Sequence, residues 1–228
     1  MFSDNSPPRP PPFSPSIIQS IQPQAKITSI RMHPISDMFM TCSKDSTIRM
    51  WDVNSDKCCG QIPTSEHSAV DYDSGGLVFG IGFGGSTIKL YDARSYEKGP
   101  FDQKVLPDTP PQEEILDLKF SGDGQHVVVL TSQGVAHVLD AYNLGTKHRL
   151  GRVGQDAHMI VNICFSPCGQ YLYGGLPEGR IVVWNVQTGM TVAELGGHSD
   201  QVNAVAFNPK KMMFASACTS LSMWLPSI

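Results

Sequence analysis

The residues able to do chemistry are scattered rather than gathered. Gly80, Gly82 and Gly85 spell G-x-G-x-x-G, a pattern that in a dinucleotide-binding turn lets backbone N–H groups approach a pyrophosphate at a helix N-terminus. Here it runs into STIKLYD, which alternates polar and apolar residues as a strand does, so the glycines are expected at a strand-to-strand turn. Cys164 and Cys168 stand four apart with no second pair at zinc-ligand spacing, and Cys58-Cys59 would put adjacent thiols on opposite faces of a strand. No metal site is read from them. The seven histidines are dispersed, and no G-x-S-x-G elbow or H-E-x-x-H occurs. Glu113-Glu114 follows the proline-rich stretch 107–111 and reads as part of a solvated loop. Lys210-Lys211 falls far short of a nucleic-acid patch. The expectation is a protein with no catalytic residues, no cofactor, no metal and no small-molecule substrate.

The elements that hold these residues must be short. Gly 21 and Pro 17 make up about one residue in six, more turn chemistry than a helical bundle wants and suited to many brief strands. Charged residues, at 17%, lie below the ~25% of ordinary domains, while 228 residues can bury a core without disulfide staples. The six cysteines sit mostly in apolar runs and are expected as reduced core or strand thiols. A net charge of -4 with a pI near 5.9 gives no basic field for a phosphate backbone, so direct nucleic-acid binding is not expected. No run of eighteen apolar residues and no signal-like start is present, which predicts no membrane partner and a cytosolic or nuclear home. Residues 1–15, MFSDNSPPRPPPFSP, read as a disordered, polyproline-like tail. Arg9, Pro12 and Pro15 fall in R-x-x-P-x-x-P order there, and Ser6 and Ser14 precede prolines as phosphorylation sites would.

From Ser16 the chain repeats itself. One unit reads IRMHP, MFMTCS, the turn KDS, then TIRMWDV; four more follow in the same order. The residue closing each third strand falls at Asp52, Asp92, Asp140, Asn185 and Leu225, at intervals of 40, 48, 45 and 40 residues. That is the WD-repeat period. Cys58 to Ile62, Asp102 to Leu106, Lys147 to Val153 and Val192 to Leu195 supply fourth strands. The fold class is therefore all-β, a WD-repeat β-propeller of five repeat units over residues 16–228, as a closed five-blade ring or an open arc. Asp45 and Glu178 lie six residues before Trp51 and Trp184, and His198 and His158 lie in loops before units five and four. This resembles the acid, Ser/Thr, His and Trp hydrogen-bond network of WD repeats. Tyr91 and Leu139 replace tryptophan in units two and three, where weaker blades are expected. Unit five stops after its third strand, so Ser16 to Ile21, SIIQSI, is expected to supply the missing outer strand. A five-blade ring needs about 72° per blade against about 51° for seven; closure is slightly favoured over the open arc.

Two stretches go beyond the repeat: Leu90 to Phe101, LYDARSYEKGPF, and Met213 to Ile228, MFASACTSLSMWLPSI. Both resemble the Swd-two type WD-repeat subunits of the COMPASS histone methyltransferase complex. The chain is short by two blades against that seven-bladed family. The resemblance implies a nuclear, non-catalytic scaffold that supports histone lysine methylation and is coupled to RNA polymerase II transcription or its termination. Implied partners are methyltransferase-complex subunits, the RNA polymerase II C-terminal domain, and termination or phosphatase factors. A generic WD-repeat adaptor, such as a ubiquitin-ligase substrate receptor, and a truncated isoform without independent function are the alternatives. Arg94, Tyr96, Glu97, Lys98 and Phe101 are the candidate partner-binding residues, because an aromatic and charged loop suits a protein grip.

Overall fold

The computed structural model describes residues 25–55, 58–64, 68–84, 86–110, 112–151 and 158–225. The tail at 1–15, the expected closing strand at 16–21 and Gly85 lie outside them.

The five units form five antiparallel sheets in which chain order is also spatial order. Blade 1 contains β1 (Ile27–Met32), β2 (Met38–Ser43), β3 (Thr47–Asp52) and β4 (Cys58–Pro63). Blade 2 contains β5 (Ala69–Tyr72), β6 (Val78–Phe83), β7 (Thr87–Asp92) and β8 (Asp102–Val105). Blade 3 contains β9 (Ile115–Phe120), β10 (His126–Thr131), β11 (Val135–Asp140) and β12 (Thr146–Gly151). Blade 4 contains β13 (Asn162–Phe165), β14 (Tyr171–Gly175), β15 (Arg180–Asn185) and β16 (Thr191–Gly196). Blade 5 has β17 (Ala204–Phe207), β18 (Phe214–Ala217) and β19 (Leu221–Trp224). The first strands pack on one another in series, β1 on β5, β5 on β9, β9 on β13 and β13 on β17. They are thus the inner strands around the axis.

The residue that closes each third strand earns its place by turn chemistry. The side-chain oxygen of Asp52 accepts the Asn54 N–H at 2.8 Å, that of Asp92 the Arg94 N–H at 2.7 Å, and that of Asp140 the Tyr142 N–H at 2.9 Å. Asn185 does the same for Gln187 at 2.9 Å. An Asx side chain replaces a missing backbone partner and reverses the chain into the outer strand. Leu225 has no such oxygen, and no fourth strand of blade 5 follows among the described residues.

The core is four apolar seams, one between each pair of consecutive blades. Strands whose both faces are covered read as unbroken apolar runs, as in β10, where all six residues are buried. Tyr91 and Leu139, the tryptophan replacements, are buried too. Tyr91 stacks on Phe79 with centroids 5.2 Å apart, and Leu139 is fully enclosed. Blades 2 and 3 lack the indole hydrogen bond but bury the replacement side chains. Gly80 and Gly82 lie within β6 rather than at a turn. A Cβ on Gly82 would come within 2.6 Å of Ile115 Cγ2, so the glycines permit blade 3 to approach blade 2. Glu113, expected in solvent, is buried at the same seam, where its carbonyl accepts the Ser86 hydroxyl.

The described strands make an arc, not a ring. No packing of β17 on β1 matches that of the other inner strands. The outward face of blade 1 leaves Ile30 and Met32 more than half exposed, and that of blade 5 does the same for Leu221 and Met223. The slight preference for closure is corrected to this extent: among the described residues, nothing covers either end face. Four of the cysteines lie on strands as expected, whereas Cys168 and Cys218 lie in turns. No disulfide joins the six, and only Cys42 is buried; Cys58, Cys59 and Cys168 are exposed.

Candidate functional site

The nominated loop joins β7 to β8. After the Asp92 turn it makes a single 3-10 turn at Tyr96–Lys98 and leaves it through Gly99, whose φ of 92° suits glycine. Tyr96 points inward. Its ring lies 6.5 Å from that of Phe79, its hydroxyl reaches toward the Cys59 carbonyl at 3.5 Å, and a Cβ on Gly60 would sit 2.0 Å from that hydroxyl. Tyr96 therefore packs blade 2 against the outer strand of blade 1. Arg94, Glu97, Lys98 and Phe101 are exposed.

Tyr96 also divides two clefts between these blades. One, of about 380 Å³, opens where the β1–β2 and β5–β6 turns meet the β7–β8 loop, and is lined by His33, Ile35, Met38, Leu77, Arg94 and Tyr96 among others. The second, of about 470 Å³, takes in Tyr96 and Glu97 with Phe83 and Lys89. The structure thus brings Arg94 and Tyr96 to one groove and Tyr96 and Glu97 to another. Lys98 and Phe101 line neither.

His33 closes one end of the first groove and went unnoticed in the sequence. Its Nδ1 accepts the backbone N–H groups of Ile35 and Ser36 at 3.2 and 3.0 Å, so the proton is on Nε2, which donates to the Gly76 carbonyl at 2.9 Å. Gly76 has a φ of 68°, and a Cβ there would lie 2.3 Å from the His33 ring. With both nitrogens engaged, His33 joins two turns and is not available as a base. The groove offers an apolar floor, two exposed apolar lips at Ile35 (76%) and Leu77 (54%), and the guanidinium of Arg94. Such a surface can hold an extended segment with an apolar anchor and an adjacent acid.

A second cluster lines the axis. Arg31 on β1 reaches Asp71 on β5 at 3.5 Å and Asp117 on β9 at 2.9 Å. Lys119 on β9 pairs with Asp117 at 3.1 Å and donates to the Ile163 carbonyl on β13. Asn162 on β13 accepts the Val205 N–H of β17 at 3.0 Å. Side-chain bonds therefore tie the inner strand of every blade to another. Burial pushes the Asp71 carboxyl up to about 6, against the pull of the Phe120 N–H and Arg31. The sequence signal was charge in otherwise apolar first strands: Arg31 in SIRM, Asp71 in AVDY, and Asp117 with Lys119 in ILDLKF.

The intrablade networks are partial. Trp51 donates to the Thr41 hydroxyl at 2.9 Å, but Asp45 takes the Thr47 hydroxyl and Arg49 instead, and Glu178 is exposed. In blade 5, Trp224 donates to Ser216 Oγ at 2.7 Å, and Ser216 bonds His198 Nε2 at 2.6 Å. This is the His, Ser and Trp part of the expected network, in five blades of the expected topology. The family pattern described as "WD domain, G-beta repeat" matches residues 16–52 and 189–224. The chain is a WD-repeat β-propeller.

Among its relatives, WD repeat-containing protein 82 of Drosophila melanogaster is 37% identical over 206 residues, 89% of this chain and 64% of that protein. COMPASS component SWD2 of Saccharomyces cerevisiae is 28% identical over 217 residues, 88% of this chain and 65% of that protein. Set1 complex component swd2 of Schizosaccharomyces pombe is 30% identical over 167 residues, 70% and 47% of the two chains. This WD-repeat chain spans less than two thirds of each of these relatives. The crystal structure of the Cps50 (Swd1) β-propeller domain of Myceliophteria thermophila aligns with a TM-score of 0.77 at 14% identity, over 91% of this chain and 67% of that one. It shares the fold. Among the described residues, no group of three or more His, Cys, Asp or Glu is placed to hold a metal ion. No helix there is long and apolar enough to cross a membrane.

Proposed function

We propose that this chain is a non-catalytic scaffold subunit of a Set1/COMPASS-type complex in the nucleus. There it supports histone lysine methylation and couples the complex to RNA polymerase II transcription or its termination. The observation that carries this reading is the similarity, along most of the chain, to proteins named as COMPASS and Set1 complex components. We assign the propeller to residues 16–228 and a Pro-rich tail to residues 1–15. The grip is assigned to the Arg94 groove, where blades 1 and 2 present apolar lips beside a cation. Methyltransferase-complex subunits are the primary partners; the polymerase C-terminal domain and termination or phosphatase factors are contacted through the same assembly. The test is affinity purification of the tagged full chain from nuclear extract with quantitative mass spectrometry. Methyltransferase-complex subunits are expected among the strongest enriched proteins, and Arg94→Glu should deplete them. Their absence from the wild-type eluate, with the chain folded and nuclear, overturns the proposal.

A further inference from the structure

Blade 5 carries a thiol where the WD network has its acid. Cys218 lies six residues before Trp224, the spacing that Asp45 and Glu178 keep to Trp51 and Trp184. The hairpin turn Cys218, Thr219, Ser220 between β18 and β19 brings its sulfur to His198 Nδ1 at 3.1 Å.

The Trp224 indole can only donate, so Ser216 Oγ accepts there at 2.7 Å. One of the two neutral tautomers of His198 has Nε2 accepting the Ser216 hydroxyl at 2.6 Å and Nδ1–H facing Cys218 Sγ at 3.1 Å. The Ser220 backbone N–H also points at this sulfur, at 3.3 Å, and the hydroxyls of Ser220 and Thr219 stand 3.4 and 3.7 Å from it. Polar groups of Ser220, Thr219 and His198 thus converge on one atom. A carboxylate in this place would be an anion accepting the same proton; here a thiolate meets the same demand. The neighbours differ from those of the other thiols. Cys42 is buried, and desolvation holds its thiol up at about 12. Cys218 remains half-exposed at a hairpin tip.

We propose that Cys218 is a thiolate modification site, reactive toward peroxides, whose oxidation releases His198 and loosens blade 5. The sulfur attacks one oxygen of hydrogen peroxide. An S–O bond forms, the O–O bond breaks, and hydroxide leaves to be protonated by water. The sulfur is oxidised by two electrons to the sulfenic acid as the peroxide is reduced. A neutral S–OH is a poorer acceptor for the His198 proton, so the loop that His198 anchors loses its tie to Ser216 and Trp224. Hydrogen bonds from Ser220 first, then Thr219 and His198, bring the thiol down to about 6 against the opposing effect of burial. His198 is the titratable group in that set.

The test is pulsed iodoacetamide labelling of the purified full chain between pH 5 and 9, with all six cysteines resolved by peptide mass spectrometry. Cys218 is expected to reach half its maximal rate near pH 6, and at pH 6.5 to label about 10-fold or more faster than Cys58, Cys59 and Cys168. Under hydrogen peroxide, dimedone should trap Cys218 first, and amide exchange in β17–β19 should accelerate. Cys218→Asp keeps an anion for His198 and should abolish that acceleration while leaving resting exchange unchanged. A Cys218 labelling profile that coincides with those of Cys58 and Cys59 overturns the thiolate assignment. Equal peroxide sensitivity of β17–β19 in Cys218→Asp overturns the release of His198.

Discussion

Asp71 and His137 make opposite demands on the propeller, and substituting either should expose the other. Asp71 is four-fifths buried beside Arg31, and desolvation moves its carboxyl from 3.8 to about 6. A raised acid leaves stability intact below its unfolded value and removes it as pH climbs through the folded one. The loss between about pH 4 and 6 is about 3 kcal/mol. His137 on β11 is fully buried, neither ring nitrogen has a partner among the described residues, and burial, with Arg149 adding to it, lowers it from 6.5 to about 4. Its contribution is intact above 6.5 and falls away as pH drops toward 4, again by about 3 kcal/mol. In the wild-type chain these slopes nearly cancel. In Asp71→Asn, where the amide can still accept the Phe120 N–H, stability should fall by about 3 kcal/mol from pH 6.5 to 4 relative to wild type. In His137→Leu it should rise by a similar amount over the same interval. Urea midpoints read by tryptophan fluorescence at half-unit pH steps, with constant m, give both differences. Carboxylates common to all three chains drop out of the comparison. If the Asp71→Asn profile runs parallel to wild type, the desolvation argument for the axial cluster fails.

Other outcomes follow from the packing. Tyr96→Ala should lower the melting temperature because it removes a ring wedged between blades, whereas Arg94→Ala should leave melting unchanged and weaken partner recovery in pull-downs; the reverse pattern would move the grip elsewhere. Gly82→Ala forces a Cβ against Ile115 and should cost about 1–3 kcal/mol in denaturant unfolding. Trp51→Phe leaves the 4%-exposed Thr41 hydroxyl without its indole donor and should cost about 1–3 kcal/mol, part of which Thr41→Val should recover in a double-mutant cycle.

The blades were legible because their markers are local. An Asx residue that must cap the turn after each third strand recurs at a fixed period whatever precedes it, so Tyr91-Asp92 and Leu139-Asp140 are as visible as Trp51-Asp52. The sites were less legible because they are assembled between repeats. Arg31, Asp71 and Asp117 lie tens of residues apart and meet only because successive inner strands face one axis. Gly80 and Gly82 looked like turn residues because a small side chain at a blade seam has the same letter as one at positive φ. Tyr96 reads as an exposed aromatic until Gly60, on another blade, makes room for it. Glu113 sits beside prolines that suggest solvent, yet the seam between blades 2 and 3 encloses it.

Among the described residues no seam joins blades 5 and 1, and this gives the arc a direction. A blade within a closed circle is held on two sides, and its departure breaks two interfaces at once. At an end of an arc it is held on one side, so its loss needs half that cooperativity. The axial ties differ along the arc as well, from an arginine gripping two carboxylates at blade 1 to a single neutral bond, Asn162 to Val205, at blade 5. Opening should therefore run as a front from β19 inward, with blade 5 detaching while blades 1 to 3 stay locked. Whatever docks on the end face of blade 5 sets the height of the first step.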